Sequence, residues 1–145
     1  MTEVETAVGS TLTDADKAAI GGLAASISAA WAAQSGEQFA AVFTSDATAL
    51  LPGDVFLQGR QEIGDYMSKG YAGPYKGTGV VGKPLSIRFI DEHTGVMVTE
   101  GGVTLPGADT VAAPQLIRAT WVCVKQDGEW AISAYQNSPV NLPGA

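Results

Sequence analysis

The sequence predicts an α+β fold in which a few N-terminal helices cover a curved, mostly antiparallel sheet and leave an apolar pocket. Three observations predict it. Apolar residues recur every three or four positions before residue 70, they alternate every second position after residue 83, and no internal repeat or linker divides the 145 residues. Helices first and a meander of long strands after them read as a layered α+β arrangement rather than an alternating α/β one. A chain of this length buries roughly two-thirds of its unfolded surface, so one core is expected.

Residues 1–12 lack periodicity and read as a flexible arm ahead of one domain over 13–145. Thr13 opens a Thr-x-x-Asp cap with Asp14 and Asp16 in the first turn, where negative charge suits the helix dipole. Ile20, Leu23, Ile27 and Trp31 then share one face of a long helix ending near Gln34. Ser35-Gly-Glu-Gln38 is a second capping box, and Phe39, Val42 and Phe43 give the short helix it opens an apolar side. Ala47–Leu51 and Val55–Gln58 are short strands around the Pro52-Gly53-Asp54 turn. A third helix starts at Gly59-Arg60, with Ile63, Tyr66 and Met67 inward.

From Gly70 to Gly82 five glycines, Pro74, Tyr71 and Tyr75 make an irregular or mobile segment of the kind that forms lids. Four strands follow at Lys83–Asp91, Val96–Leu105, Ala113–Gln126 and Trp130–Val140. Asp127-Gly128 joins the last two, since both residues tolerate the positive φ of a type I′ turn.

The apolar fraction is 46% and mean hydropathy +0.12, yet no apolar run approaches the ~18 residues of a membrane span. Apolar surface is therefore directed inward or into a subunit interface. A net charge of -7 without any Lys/Arg cluster argues against nucleic acid or an anionic membrane as partner. The acidic, polar N-terminus does not read as a signal peptide, which makes the cytoplasm the expected location. Cys123, the single cysteine, has neither a disulfide partner nor a second thiol for zinc and reads as a buried structural residue.

Several local phrases carry a family resemblance. Ala30-Trp31-Ala32, Phe39–Ala47, Gly59-Arg60-Gln61-Glu62-Ile63, Asp127-Gly128-Glu129-Trp130-x-Ile132 and Tyr135-Gln136-Asn137 together resemble the NTF2-like superfamily, and within it SnoaL-like proteins of the SgcJ/EcaC type. Glu100-Gly101-Gly102-Val103-x-Leu105-Pro106-Gly107 and Arg118–Val122 are similar to the branch associated with enediyne polyketide biosynthesis. The resemblance implies an NTF2-like cone, a homodimer formed by packing sheets, a cavity suited to a linear polyene, and no organic cofactor. It also implies a departure: the residue before the first-hairpin proline, a catalytic Asp in ketosteroid isomerases of this fold, is Leu51 here.

Candidate chemistry is sparse. Gly77-Thr-Gly79-Val-Val-Gly82 has the spacing of a dinucleotide fingerprint, but an alternating strand follows where a helix N-terminus is needed, so no nucleotide cofactor is expected. His93, the only histidine, lies in the turn Asp91–Gly95; it is a weak acid–base candidate, and no second histidine supports a metal site. Arg118 and Glu100 interrupt apolar strands and are either a cross-strand salt bridge or pocket groups. Gln136 falls on one strand face and Tyr135 with Asn137 on the other; an amide or phenol there could polarise a carbonyl.

The expected ligand-binding set is Trp31, Phe43, Phe56, Tyr66, Met67, Tyr71, Tyr75, Trp121, Tyr135 and Asn137, with Gln136, Asn137, Arg118 and His93 as catalytic candidates and no metal. The expected function is binding of an apolar linear polyene or polyketide intermediate of enediyne biosynthesis, with cyclisation, isomerisation or related processing. The alternative is a non-catalytic carrier or an accessory protein to pathway enzymes, and a third possibility, favoured by a cavity below the ~300 Å³ typical of ligand pockets, is a structural dimer whose cavity is filled by side chains.

Overall fold

The computed structural model describes residues 12–141. Helix α1 (Asp14–Ala32) begins as its cap dictates: Thr13 Oγ1 accepts from the Asp16 N–H at 3.1 Å, and Asp16 Oδ2 accepts from the Thr13 N–H at 2.9 Å. Ile20, Leu23, Ala24, Ile27 and Trp31 form its buried stripe. Helix α2 (Gly36–Ala40) has Ser35 as N-cap, whose Oγ accepts from the Gln38 N–H. Helix α3 (Arg60–Ala72) buries Ile63, Met67 and Tyr71.

The strands are β1 (Phe43–Leu51), β2 (Val55–Gln58), β3 (Gly79–Asp91), β4 (Thr94–Thr104), β5 (Ile117–Gln126) and β6 (Glu129–Pro139). They form one sheet in the order β2-β1-β6-β5-β4-β3. Every neighbour is antiparallel except β1 and β6, which run parallel. The last strand is thus inserted between the first hairpin and the meander. The β5–β6 turn has positive φ at Asp127 (54°) and Gly128 (81°), as the Asp-Gly pair predicts. Alternation puts Met97, Ala119, Trp121, Cys123 and Ile132 on the face beneath the helices, all buried in one core with Ile20, Leu23, Phe43 and Ile63. Burial pushes the Cys123 thiol up to about 12, which keeps it protonated and inert, in keeping with a structural role.

Three expected boundaries move by four residues, and others by one or two. Strand β1 starts at Phe43 rather than Ala47, because Phe43 pairs with Ile132 of β6 instead of completing a helical stripe. Strand β3 starts at Gly79 rather than Lys83. Its first residues pair with Gly101 and Gly102 of β4, where a Cβ on Gly101 would collide with the Val81 carbonyl oxygen. Residues Ala113–Gln115 form a 3₁₀ turn, so β5 starts at Ile117. The expected flexible arm falls on residues outside those described except Leu12, which packs against the core.

Gly70–Gly82 is not an irregular lid. The helix continues to Ala72, a short turn follows, and Gln34 pins that turn from the end of α1. Gln34 Oε1 accepts from the Gly77 N–H at 3.1 Å, while its Nε2 donates to the Trp31 carbonyl at 3.1 Å and reaches those of Tyr75 and Thr78 at 3.4 Å. Trp31 Nε1 donates to Thr78 Oγ1 at 2.9 Å, and that hydroxyl donates to the Tyr75 carbonyl at 2.6 Å. Backbone groups that a polar loop would leave to water are satisfied internally here.

Candidate functional site

Helices and sheet enclose a cavity of about 250 Å³. One wall is α1, which contributes Ala24, Ile27, Ser28 and Trp31 from its buried side. Phe39, Phe43, Ile63, Tyr66, Met67 and Tyr75 close the side under α2 and α3. The floor is the sheet: Ala49, Leu51, Leu57, Thr99, Trp121, Tyr135 and Asn137, together with the glycine-bearing segments Val80–Gly82 and Gly101–Val103. The volume lies above the ~150 Å³ that admits benzene and below the ~300–1,000 Å³ of drug-sized sites: it takes a compact guest, and by size it favours the filled-cavity dimer over a site for a whole polyene.

The aromatic walls are mutually fixed. Trp31 lies 4.9 Å from Tyr75 and 6.1 Å from Phe39 between ring centroids, and Phe39 stacks on Phe43 at 5.5 Å. Trp121 meets Tyr135 edge-on at 5.2 Å and donates its indole N–H to Thr99 Oγ1 at 2.9 Å. Gly70 lets Tyr75 lie against α3, since a Cβ there would stand 2.5 Å from the ring.

Among the described residues no Asp, Glu, Lys, Arg or His lines the cavity. Its polar groups are neutral hydroxyls and amides. Three phenols, Tyr66, Tyr75 and Tyr135, are neighbours: burial first, then Tyr66 and Tyr135, raises Tyr75 above its ordinary value. Burial also raises Tyr135, with the Asn137 hydrogen bond opposing the shift. Tyr75 and Tyr135 therefore stay protonated near neutrality and act as hydrogen-bond donors rather than as bases. Asn137 Nδ2 donates to the Tyr135 hydroxyl at 2.9 Å, and Asn137 Oδ1 is buried without a partner.

Of the residues expected from sequence to bind ligand, Trp31, Phe43, Tyr66, Met67, Tyr75, Trp121, Tyr135 and Asn137 are brought together here. Phe56 is not: it alternates out of phase with the lining residue Leu57 and is 50% exposed on the opposite face. Tyr71 sits behind the wall, its ring 5.5 Å from Trp31, with a buried, unpartnered hydroxyl.

The catalytic candidates divide similarly. Gln136 is exposed, since the strand phase that turns Tyr135 and Asn137 inward turns it out. Arg118 is on the outer face, away from the cavity lining, and is paired with Glu100, the cross-strand partner in register, at 2.9 Å. His93 is exposed in the β3–β4 turn, where its N–H donates to Asp91 Oδ1 at 2.8 Å. The glycine-spaced fingerprint runs straight into β3. Sequence reasoning misses Gln34, Thr99 and Gln115. Gln34 has a positive φ of 55° just before the Ser35 cap, a helix-end signature, but its reach to residue 77 depends on tertiary structure.

A family model described as a SnoaL-like domain matches residues 13–136. Among solved structures, a domain of unknown function with a cystatin-like fold from Nostoc punctiforme is similar at 29% identity over 90% of this chain and 81% of that one, with a TM-score of 0.83. A second protein of unknown function from the same organism, again with a cystatin-like fold, has 20% identity over 91% and 97% and a TM-score of 0.77. An NTF2-like protein with a cystatin-like fold from Novosphingobium aromaticivorans has 14% identity over 100% and 94%, with a TM-score of 0.78. No curated protein matches the chain.

Proposed function

The chain belongs to the SnoaL-like domain family, and we propose that its cavity binds a neutral, polyketide-type small molecule and holds it in a folded conformer. One observation carries this reading: a 250 Å³ aromatic-walled cavity whose polar groups, among the described residues, are all uncharged. Burying an unpaired charge there is costly, whereas apolar rings and chains gain from leaving water. Confinement of a flexible intermediate favours ring closure by orientation alone, and the phenols with Asn137 supply hydrogen bonds to a developing enol or carbonyl.

The finer reading is a linear polyene of enediyne biosynthesis, supported by the Glu100–Gly107 and Arg118–Val122 phrases. A cavity of this volume takes such a chain bent or by one end. Leu51 at the isomerase-base position, with no carboxylate among the described lining residues, favours positioning over proton abstraction and equally supports a carrier that shields the intermediate. A homodimer belongs to the same proposal. The sheet face away from the helices exposes Leu50 and Phe56 at 41% and 50%, and two strands further on the same face carries the outward-facing residues Val98, Val122 and Val124. Light scattering at micromolar concentration checks it; a monomer contradicts that part.

Native mass spectrometry with and without an extract of linear conjugated polyenes, followed by product analysis, tests the function. Altered product at substoichiometric protein supports a cyclase or isomerase, and an unaltered bound polyene supports the carrier. No complex with polyenes or compact aromatic molecules removes the proposal.

A further inference from the structure

The polar corner at the end of β6 is incomplete in a way that specifies a ligand group. Tyr135 and Asn137, two apart on one strand, both point into the cavity. The Asn137 amide spends one of its two Nδ2–H on the Tyr135 hydroxyl oxygen at 2.9 Å. Beside the second Nδ2–H, that leaves two capacities close enough to share one ligand group: the Tyr135 hydroxyl hydrogen, which meets no described acceptor, and the Asn137 Oδ1 lone pairs, buried and unpartnered. Buried amide oxygens are rarely left in this state without a reason, because the desolvation cost is uncompensated.

One chemical group completes both capacities at once. A hydroxyl accepts from Tyr135 through its oxygen and donates to Asn137 Oδ1 through its hydrogen. The result is a closed circuit from the amide nitrogen through the phenol and the ligand oxygen back to the amide oxygen, and hydrogen bonds linked in this way strengthen one another. An ether or ketone can accept from Tyr135 but leaves Oδ1 unpaired. A carboxylate brings a charge for which no cation among the described residues lines the cavity. The remaining wall is rich in aromatic rings set at angles to one another: Trp31, Phe39, Phe43, Tyr75 and Trp121 flank a space larger than one benzene ring and smaller than a drug-sized site.

We propose that Tyr135 and Asn137 form a hydroxyl-recognition site, selecting a neutral one- or two-ring phenol or enol whose O–H bridges the two side chains. This rests on the reading of the cavity as a small-molecule site and narrows its ligand from apolar molecules in general to hydroxylated rings.

Equilibrium dialysis of the full chain with four naphthalene probes tests it. 2-Naphthol binds tightest, naphthalene and 2-methoxynaphthalene bind at least about tenfold more weakly, and 2-naphthoate binds weakest. Asn137→Leu and Tyr135→Phe each bring 2-naphthol towards the naphthalene value and leave naphthalene itself within about twofold. Equal binding of 2-naphthol and 2-methoxynaphthalene by the unaltered chain overturns the hydroxyl site while leaving the cavity reading intact. A parallel loss of naphthalene and 2-naphthol in both variants also overturns it. If neither naphthalene nor 2-naphthol binds the unaltered chain, the small-molecule reading falls together with the hydroxyl site.

Discussion

The two ends of the sheet treat their buried polar groups in opposite ways. At the end where β5 turns into β6, Asp16 of α1 accepts from the Trp130 indole N–H at 3.0 Å and from Lys125 Nζ at 2.9 Å, and also closes the Thr13 cap. The Trp130 bond, then Lys125, then Thr13 holds its carboxyl well below the usual carboxylate range. At the other end Tyr135 and Asn137 are uncharged, and one amide oxygen has no partner. A satisfied ionic anchor ties helix to sheet, while an unsatisfied neutral corner faces the cavity. The first arrangement suits stability and the second suits recognition.

The largest expected effect comes from breaking the anchor. Asp16→Ala leaves Trp130 and Lys125 without their acceptor and removes half of the cap, so it lowers Tm more than the core, wall and surface substitutions that follow. Because the folded carboxyl titrates below its unfolded value near 3.8, its contribution is present above that pH and is lost as pH falls through the window beneath it. Tm of the unaltered chain should therefore drop below about pH 4, and Asp16→Asn should flatten that drop.

Next is the core between the two ends. Met97 is fully buried in the middle of the sheet, and Met97→Ala should cost roughly 2–5 kcal/mol in urea unfolding. A smaller effect tests the wall. Gly70→Ala forces the Tyr75 ring away from α3 and should cost about 1–3 kcal/mol while weakening 2-naphthol binding. The smallest is outside both ends: Arg118→Ala breaks an exposed pair and should change stability by under about 1 kcal/mol without altering binding. A loss of binding in that variant would contradict its placement on the outer face.

The anchor is partly legible in sequence and the neutral corner only as a candidate. Thr13-x-x-Asp16 announces a cap, because capping is local, but nothing local says that Asp16 also reaches Lys125 and Trp130. Strand phase correctly groups Tyr135 with Asn137 and sets Gln136 apart, since the period of two is short-range. Phase fails for Phe56, where a four-residue strand offers too little pattern to choose between Phe56 and Leu57. The glycines around residues 70–82 suggest mobility because glycine has weak local preferences. Their reasons are tertiary: one admits the Tyr75 ring, and others face Gly101 and Thr104 across β3 and β4. The cavity is legible only through the family resemblance, as its walls are made of the same residue types as the core and no local pattern marks them.

The three tryptophans divide between the two ends and supply the most direct test. Trp31 and Trp121 line the cavity, whereas Trp130 donates to Asp16 in the anchor. In an NMR titration with 2-naphthol, the indole N–H signals of Trp31 and Trp121 should shift together with the Asn137 side-chain amide, and that of Trp130 should stay in place. Movement of Trp130 alone, or of none of the three at saturating probe, would contradict the assignment of recognition to the neutral end.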